Sequence, residues 1–257
     1  MKKTAQRNTF AKHLTLYSKL YGGNPALNPQ LATVIAAAKK SGMPKANIDA
    51  AVARGQGKST SGEKLEAVTF ETIMNPSVAI VVDIESDNKN RSIKDMRSLA
   101  KKHKALAAPT AFQFTRTGRI VLGTPQPDTE GAQQQQPEQQ PAEDRFDDVL
   151  MAAVEAGAED VEQDEDGNYL LWTQPGSTHH VAQTVAKELE LDILSSDIIY
   201  KPTAEMVEVD DEGAALALGN FLAAVKEYPD VLAIYSNAVQ GGISDEAWAK
   251  IEDCLDV

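Results

Sequence analysis

A low-complexity stretch, TPQPDTEGAQQQQPEQQPAED (124–144), limits how this chain of 257 residues can fold. Glutamine, proline and acidic residues dominate it, and they cannot bury enough apolar surface to offset the entropy lost on ordering. The residues before and after this stretch must therefore supply every hydrophobic core. We expect residues 125–144 to form a disordered linker.

The first 62 residues carry apolar side chains at helical spacing, which predicts three helices. Asn28 and Pro29 are typical of a helix start, while Gly22-Gly23 and Ser41-Gly42 are typical of helix ends. The predicted helices cover 9–21, 28–40 and a segment that begins at Pro44.

Beyond residue 63 the pattern changes to short strands mixed with helices. Two strand-like runs, 65–74 and 78–84, are followed by a helix from about Asn90 to His103. We expect AFQFTRTGRIVLG (111–123) to be a hairpin that turns at Thr117-Gly118. After the linker, further short strands and helices end in a helix at 244–255. This mixture favours an α+β fold over a doubly wound parallel sheet.

Charge is distributed unevenly along the chain, which has a formal net charge of −13. Residues 1–62 contain ten Lys or Arg and one acid, giving +9, and residues 63–124 contain ten and seven, giving +3. Residues 125–257 contain five basic and thirty acidic residues, giving −25. Such asymmetry predicts that the N-terminal part binds a polyanion and that the acidic part is solvated or faces a protein partner. Chance clustering in a highly charged, soluble protein is the alternative.

Two groups of cations are the candidate nucleic-acid-binding residues. The first lies in the predicted helical segment, and the second forms a stripe on the 90–103 helix, away from its apolar face. Phosphate binding requires such charges without strict geometry, although a cationic stripe can also be an ordinary solvated face. The candidates are Lys39, Lys40, Lys45, Arg54 and Lys58 in the first group, and Arg91, Lys94, Arg97, Lys101 and Lys104 in the second.

Enzyme and metal-site motifs are missing from the sequence. The single cysteine, Cys254, rules out an internal disulfide and a cysteine zinc cluster, and it fits a reducing compartment. DVEQDEDGN (160–168) lacks the spacing of a calcium loop, and the adjacent His179 and His180 suit a metal poorly. The longest apolar run, 214–225, is too short to span a bilayer. We therefore expect no catalysis, no cofactor, no metal and no membrane partner.

Six segments occur in order over nearly the whole chain: GGNPALNPQL (22–31), SGMPKANIDAAVARGQG (41–57), SDNKNRS (86–92), AFQFTRTG (111–118), EAGAEDV (155–161) and YSNA (235–238). Together they resemble the YebC family. The resemblance implies a three-helix N-terminal domain followed by two α/β domains, one inserted into the other. The corresponding segments are a helical domain at 1–62, an α/β domain at 63–124 plus 203–240, an inserted acidic α/β domain at 145–202, and a C-terminal helical extension at 241–257.

The same resemblance implies a function in translation or transcription. The family includes mitochondrial translational activators of cytochrome c oxidase subunit I, and some bacterial relatives are described as DNA-binding transcriptional regulators. The family's basic opening is missing, and the Gln/Pro linker and C-terminal extension are added, which favours an organellar protein without its presequence. We expect a translational activator in the mitochondrial matrix, and we expect it to be a monomer. The expected partners are the ribosome or ribosomal RNA, with mRNA or tRNA as further RNA partners. A DNA-binding regulator is the alternative, and a protein-scaffolding module is a third possibility.

Overall fold

The computed structural model describes residues 2–124, 142–164, 166–203 and 205–256. The helices are α1 (Lys2–Tyr21), α2 (Pro29–Lys40), α3 (Lys45–Gly55), α4 (Lys89–Lys102), α5 (Ala142–Ala156), α6 (Thr178–Glu188), α7 (Glu212–Lys226) and α8 (Asp245–Glu252). The strands are β1 (Glu66–Met74), β2 (Val78–Ser86), β3 (Leu106–Ala107), β4 (Phe114–Gly123), β5 (Ala158–Gln163), β6 (Tyr169–Thr173), β7 (Asp192–Pro202), β8 (Val207–Val209), β9 (Val231–Ser236) and β10 (Ala238–Gln240). The chain forms two compact units, residues 1–115 with 200–257, and residues 116–199.

The three N-terminal helices of the first unit form a small core of their own. Leu14, Leu31 and Ile48 are buried at its centre, one from each helix. The buried Asn28 fixes the start of α2: its side-chain oxygen accepts from the Leu31 N–H, and its amide donates to the carbonyls of Tyr17 and Gly22. This cap satisfies backbone groups that the helix ends leave without partners.

The rest of the first unit contains an antiparallel sheet with the strand order β3-β1-β2-β9 and a parallel pair of short strands, β8 and β10. The helices α4 and α7 pack on the sheet, and the residues they bury include Ile80, Met96 and Phe221. The helix α8 packs on α7. The C-terminal segment also reaches the sheet, because Asp256 exchanges hydrogen bonds with Ile234 of the edge strand β9.

The second unit follows the order β4-α5-β5-β6-α6-β7, and its sheet has the strand order β5-β6-β4-β7. This is the split β-α-β topology of ferredoxin-like domains. The helices α5 and α6 pack against each other, and α5 also contacts β5 and β6. Because both the entry strand β4 and the exit strand β7 lie in one sheet, the unit can be inserted into the sequence of the first.

The predicted α+β class, with N-terminal helices and an inserted α/β part, is confirmed, but the predicted hairpin over 111–123 is wrong. The strand β4 continues through Gly118 without a turn. A Cβ atom at Gly118 would collide with the side-chain oxygens of Thr173 and Thr178, so the glycine permits close packing. The second unit consequently begins at Arg116, earlier than the expected boundary after residue 124. The expected disordered linker, 125–144, lies mostly outside the described residues.

Candidate nucleic-acid interface

Three of the exposed cations of helix α4 lie along one stripe. Asn88 caps the helix by accepting from the Arg91 N–H, and Met96 and Ala100 are buried beneath it. At about 100° per residue, Lys94, Arg97 and Lys101 fall within a narrow stripe on the solvent side. None of these three has an ion-pair partner within the described part of the chain. We call Lys94, Arg97 and Lys101 the α4 surface.

A groove of about 460 Å³ runs beside the α4 surface, between α4 and the first half of β1. The strand β3 pairs only with Thr72 and Ile73, so it does not cover this half of β1. One wall of the groove is cationic, and an ion pair between Lys89 and Glu66, with 3.4 Å from nitrogen to oxygen, lies beside it. The residues that line the groove are Ala67, Val68, Lys89, Asn90, Ile93, Lys94 and Arg97. Such a groove has the charge to hold one phosphate backbone.

Asn90 and Lys89 are groove residues that the sequence interpretation missed. Asn90 is exposed and precedes Lys94 by four residues, so it lies on the same helical stripe. Helical spacing alone could have identified it, whereas a search restricted to cations could not. Its amide group can donate to a phosphate oxygen and accept from a base or sugar.

Arg91 was predicted to bind nucleic acid, but the structure assigns it to an internal network. Its Nη2 atom lies 3.0 Å from Asp87 and 3.3 Å from Asp230. The Asp230 side chain is only 17% exposed, and it also accepts hydrogen bonds of 2.8 Å from Ser86 and Ser92. Arg91 thus helps to attach the start of α4 to the loop between α7 and β9.

The titration of Asp230 reflects this network. Burial of the carboxylate would raise its pKa, but the hydrogen bonds from Ser92, Ser86 and Arg91 outweigh burial and hold the pKa of Asp230 below its ordinary value. The folded state therefore favours the ionised carboxylate of Asp230 more than the unfolded state does. This carboxylate stabilises the fold, and Arg91 is one of its donors.

Arg54 is also engaged within the first unit. Its Nη2 atom donates to the backbone carbonyl of Pro229 at 3.1 Å, and its Nε atom lies 3.9 Å from the Glu85 carboxylate. Its side chain is only 31% exposed. Arg54 therefore connects α3 to the loop between α7 and β9, and it is not presented to solvent as a free phosphate ligand.

The remaining predicted cations are exposed but form no single cluster. Lys39 and Lys40 end α2 and Lys45 begins α3, so these three lie near one turn. Lys58 follows the other end of α3, about 15 Å or more along the helix direction from Lys45 at 1.5 Å per residue. Lys104 follows the C-terminal end of α4, close in sequence to Lys101. The expected N-terminal cluster therefore reduces to Lys39, Lys40 and Lys45.

Comparison with known proteins assigns the chain to a family. Residues 65–238 match the family model described as "TACO1/YebC second and third domain", and residues 1–58 match the one described as "TACO1/YebC protein N-terminal domain". The chain belongs to the TACO1/YebC family. Asn28, Asn88 and Asn237 lie in the segments that resemble the family, and each forms structural hydrogen bonds here.

The relatives that we compared are bacterial proteins. A "Probable transcriptional regulatory protein" of Persephonella marina is 31% identical over 231 residues, covering 88% of this chain and 84% of that protein. One of the same name from Bifidobacterium animalis is 32% identical, covering 94% and 88%. A crystal structure of a conserved hypothetical protein from Aquifex aeolicus aligns with a TM-score of 0.56 at 28% identity, covering 93% of this chain and 90% of that one.

These relatives correct the expectation of a mitochondrial protein. All of the relatives that we compared come from bacteria, so the predicted location in the mitochondrial matrix is wrong. The added linker and C-terminal extension, on which that expectation relied, do not identify a compartment. Within the described residues, no helix is long and apolar enough to cross a membrane, and no three His, Cys, Asp or Glu side chains are grouped as metal ligands.

Proposed function

We propose that this TACO1/YebC protein is a non-catalytic transcriptional regulator that binds DNA through its phosphate backbone. The observation that carries the proposal is the α4 surface, whose three exposed cations have no ion-pair partner among the described residues. The chain has a net charge of −13, yet these cations lie together on one side of a helix without acidic partners among the described residues. This arrangement favours a polyanionic ligand. The names of the bacterial relatives support DNA as that ligand.

The α4 surface is suited to positioning DNA more than to reading its sequence. Lysine binds phosphate as a point charge, and contacts with phosphate fix orientation without reporting the base sequence. Arg97 and Asn90 are the groove residues whose planar groups can pair with a base edge. We therefore expect much of the affinity to depend on salt and to vary little with sequence.

RNA is the second candidate ligand, with a regulatory function in translation. The exposed lysines at Lys39, Lys40 and Lys45, together with the α4 surface, supply cations for an RNA backbone as they do for DNA. Phosphate contacts of this kind suit a structured RNA such as that of the ribosome, which proteins recognise largely by shape and backbone.

Charge reversal of the α4 surface tests the proposal. We expect Lys94→Glu, Arg97→Glu and Lys101→Glu together to lower the affinity for duplex DNA at least 100-fold at low salt, because three attractions become repulsions. A matched control changes three exposed lysines elsewhere, Lys19→Glu, Lys64→Glu and Lys187→Glu, for the same change in net charge. Fluorescence anisotropy with labelled duplex DNA and with structured RNA gives the affinities.

The result that contradicts the proposal is an equal loss of affinity in the triple variant and in the control. If the unmodified protein binds structured RNA at least tenfold more tightly than duplex DNA, the ligand is RNA and not DNA. In a null strain complemented with the triple variant, a transcriptional regulator changes transcript abundance. A translation factor changes the protein made per transcript.

A further inference from the structure

The helix α5 of the second unit has apolar residues on two opposite faces. The inner face buries Val149, Ala152 and Ala153. On the outer face, Leu150 is 37% exposed, Met151 is 66% exposed and Val154 is 58% exposed. At about 100° per residue, the outer three centre about 150° around the helix from the inner three. We call Leu150, Met151 and Val154 the α5 patch.

This patch departs from the usual pattern of a surface helix. A helix at the surface normally carries polar residues opposite its buried face, and grouped apolar residues there commonly mark an interaction site. Scattered single apolar residues need no such explanation. Val154 follows Leu150 by four residues and Met151 by three, so it neighbours both of them on the helix surface.

The charge around the α5 patch indicates that its partner is positively charged. Asp147 and Glu155 flank Met151 at four residues on either side, Asp148 is adjacent, and all three are exposed. The sequence of the second unit, 116–199, contains four basic and eighteen acidic residues, a net charge of −14. Such a surface repels nucleic acid and attracts a cationic protein segment.

We infer that the α5 patch is a docking surface for a basic amphipathic helix of a partner protein. An amphipathic helix presents an apolar stripe to Leu150, Met151 and Val154, and its flanking Lys or Arg side chains meet Asp147 and Glu155. The unbranched Met151 side chain can adapt to the partner surface. The inference is independent of the proposed DNA binding, because the two surfaces lie in different units and have opposite charge.

Two synthetic peptides of identical composition test this inference with the full-length chain. In one, leucine and lysine are spaced to form an amphipathic helix, and in the other the same residues are scrambled. We expect the amphipathic peptide to bind at least tenfold more tightly by fluorescence anisotropy. Met151→Gln with Val154→Gln should bring the ratio of the two affinities close to one, while DNA binding and the thermal midpoint stay unchanged.

Controls separate the α5 patch from general attraction to an acidic protein. Leu27→Gln with Leu216→Gln removes two residues that are 80% and 60% exposed elsewhere, and it should leave the affinity ratio intact. Asp147→Asn with Glu155→Gln should weaken the binding of both peptides.

Three results would overturn the inference. The first is equal affinity for the two peptides, which would leave only non-specific charge attraction. The second is an affinity ratio that survives Met151→Gln with Val154→Gln. The third is sedimentation equilibrium showing that the unmodified chain forms a dimer that this double variant abolishes, because a second copy would then occupy the patch.

Discussion

Replacing Asp230 with alanine should destabilise the first unit strongly, because this carboxylate joins the end of β2, the start of α4 and the loop before β9. It accepts hydrogen bonds of 2.8 Å from Ser86 and Ser92, which are both fully buried. A hydrogen bond to a charged group contributes about 1.5 kcal/mol at the lower end of its usual range. The two serine bonds together predict a loss of about 3 kcal/mol in the free energy of unfolding, with little added by the half-exposed Arg91.

Urea denaturation measures this loss. Trp248 packs against the core of the first unit, and Trp172 lies in the second. In a Trp172→Phe background, tryptophan emission therefore reports the first unit. Asp87→Ala is the matched control, because Asp87 contacts Arg91 through a partly exposed ion pair and should cost less than about 1 kcal/mol. An Asp230→Ala variant that is no less stable than Asp87→Ala would refute the structural function of the network.

The pH dependence supplies an independent check on Asp230. Its pKa in the folded state is lower than its ordinary value. The unfolded state therefore takes up its proton first as the pH falls. The stabilisation by Asp230 is fully present above the unfolded pKa, near 3.9, and is lost as the pH falls through the folded pKa. The stability difference between the unmodified protein and Asp230→Asn should consequently shrink below about pH 4.

Two further predictions concern glycine packing and the two arginines that contact protein groups, Arg54 and Arg91. A Cβ atom at Gly55 would lie 2.6 Å from the Ser18 Cβ, so Gly55→Ala should lower the unfolding free energy by about 2 kcal/mol. In contrast, Gly219→Ala in α7 meets its neighbours at 3.8 Å and should stabilise the protein by up to about 1 kcal/mol. Both are measured by thermal melting. Arg54→Ala and Arg91→Ala should leave the salt dependence of DNA binding unchanged, because both side chains are held by protein groups. A weaker salt dependence in either variant would show that this arginine contacts phosphate.

Local sequence signals predicted much of the first unit correctly. The helix expected from Asn90 to His103 is α4, from Lys89 to Lys102, because its apolar spacing and its Asn88 cap agree. The three N-terminal helices were found from their apolar spacing, but α1 begins at Lys2, earlier than the predicted residue 9. In these elements the residues that decide the structure lie within one or two turns of each other.

Local patterns did not reveal contacts between distant residues. Arg54 contacts Pro229, 175 positions away, and Arg91 contacts Asp230, 139 positions away, in addition to its near neighbour Asp87. Gly118 looked like a turn residue because its contact with Thr178 of α6 cannot be inferred from neighbouring residues. The groove beside α4 depends on β3 ending its pairing at Thr72, which no local pattern predicts.

The salt dependence of DNA binding tests the central claim most directly. Each phosphate neutralised on duplex DNA contributes about −0.9 to the slope of log affinity against log salt concentration. Changing Lys94, Arg97 and Lys101 of the α4 surface together to glutamine should therefore make the slope less steep by about 2.7, while Lys19, Lys64 and Lys187 changed in the same way should not alter it. An unchanged slope in the α4 variant would contradict the assignment of this surface to phosphate binding.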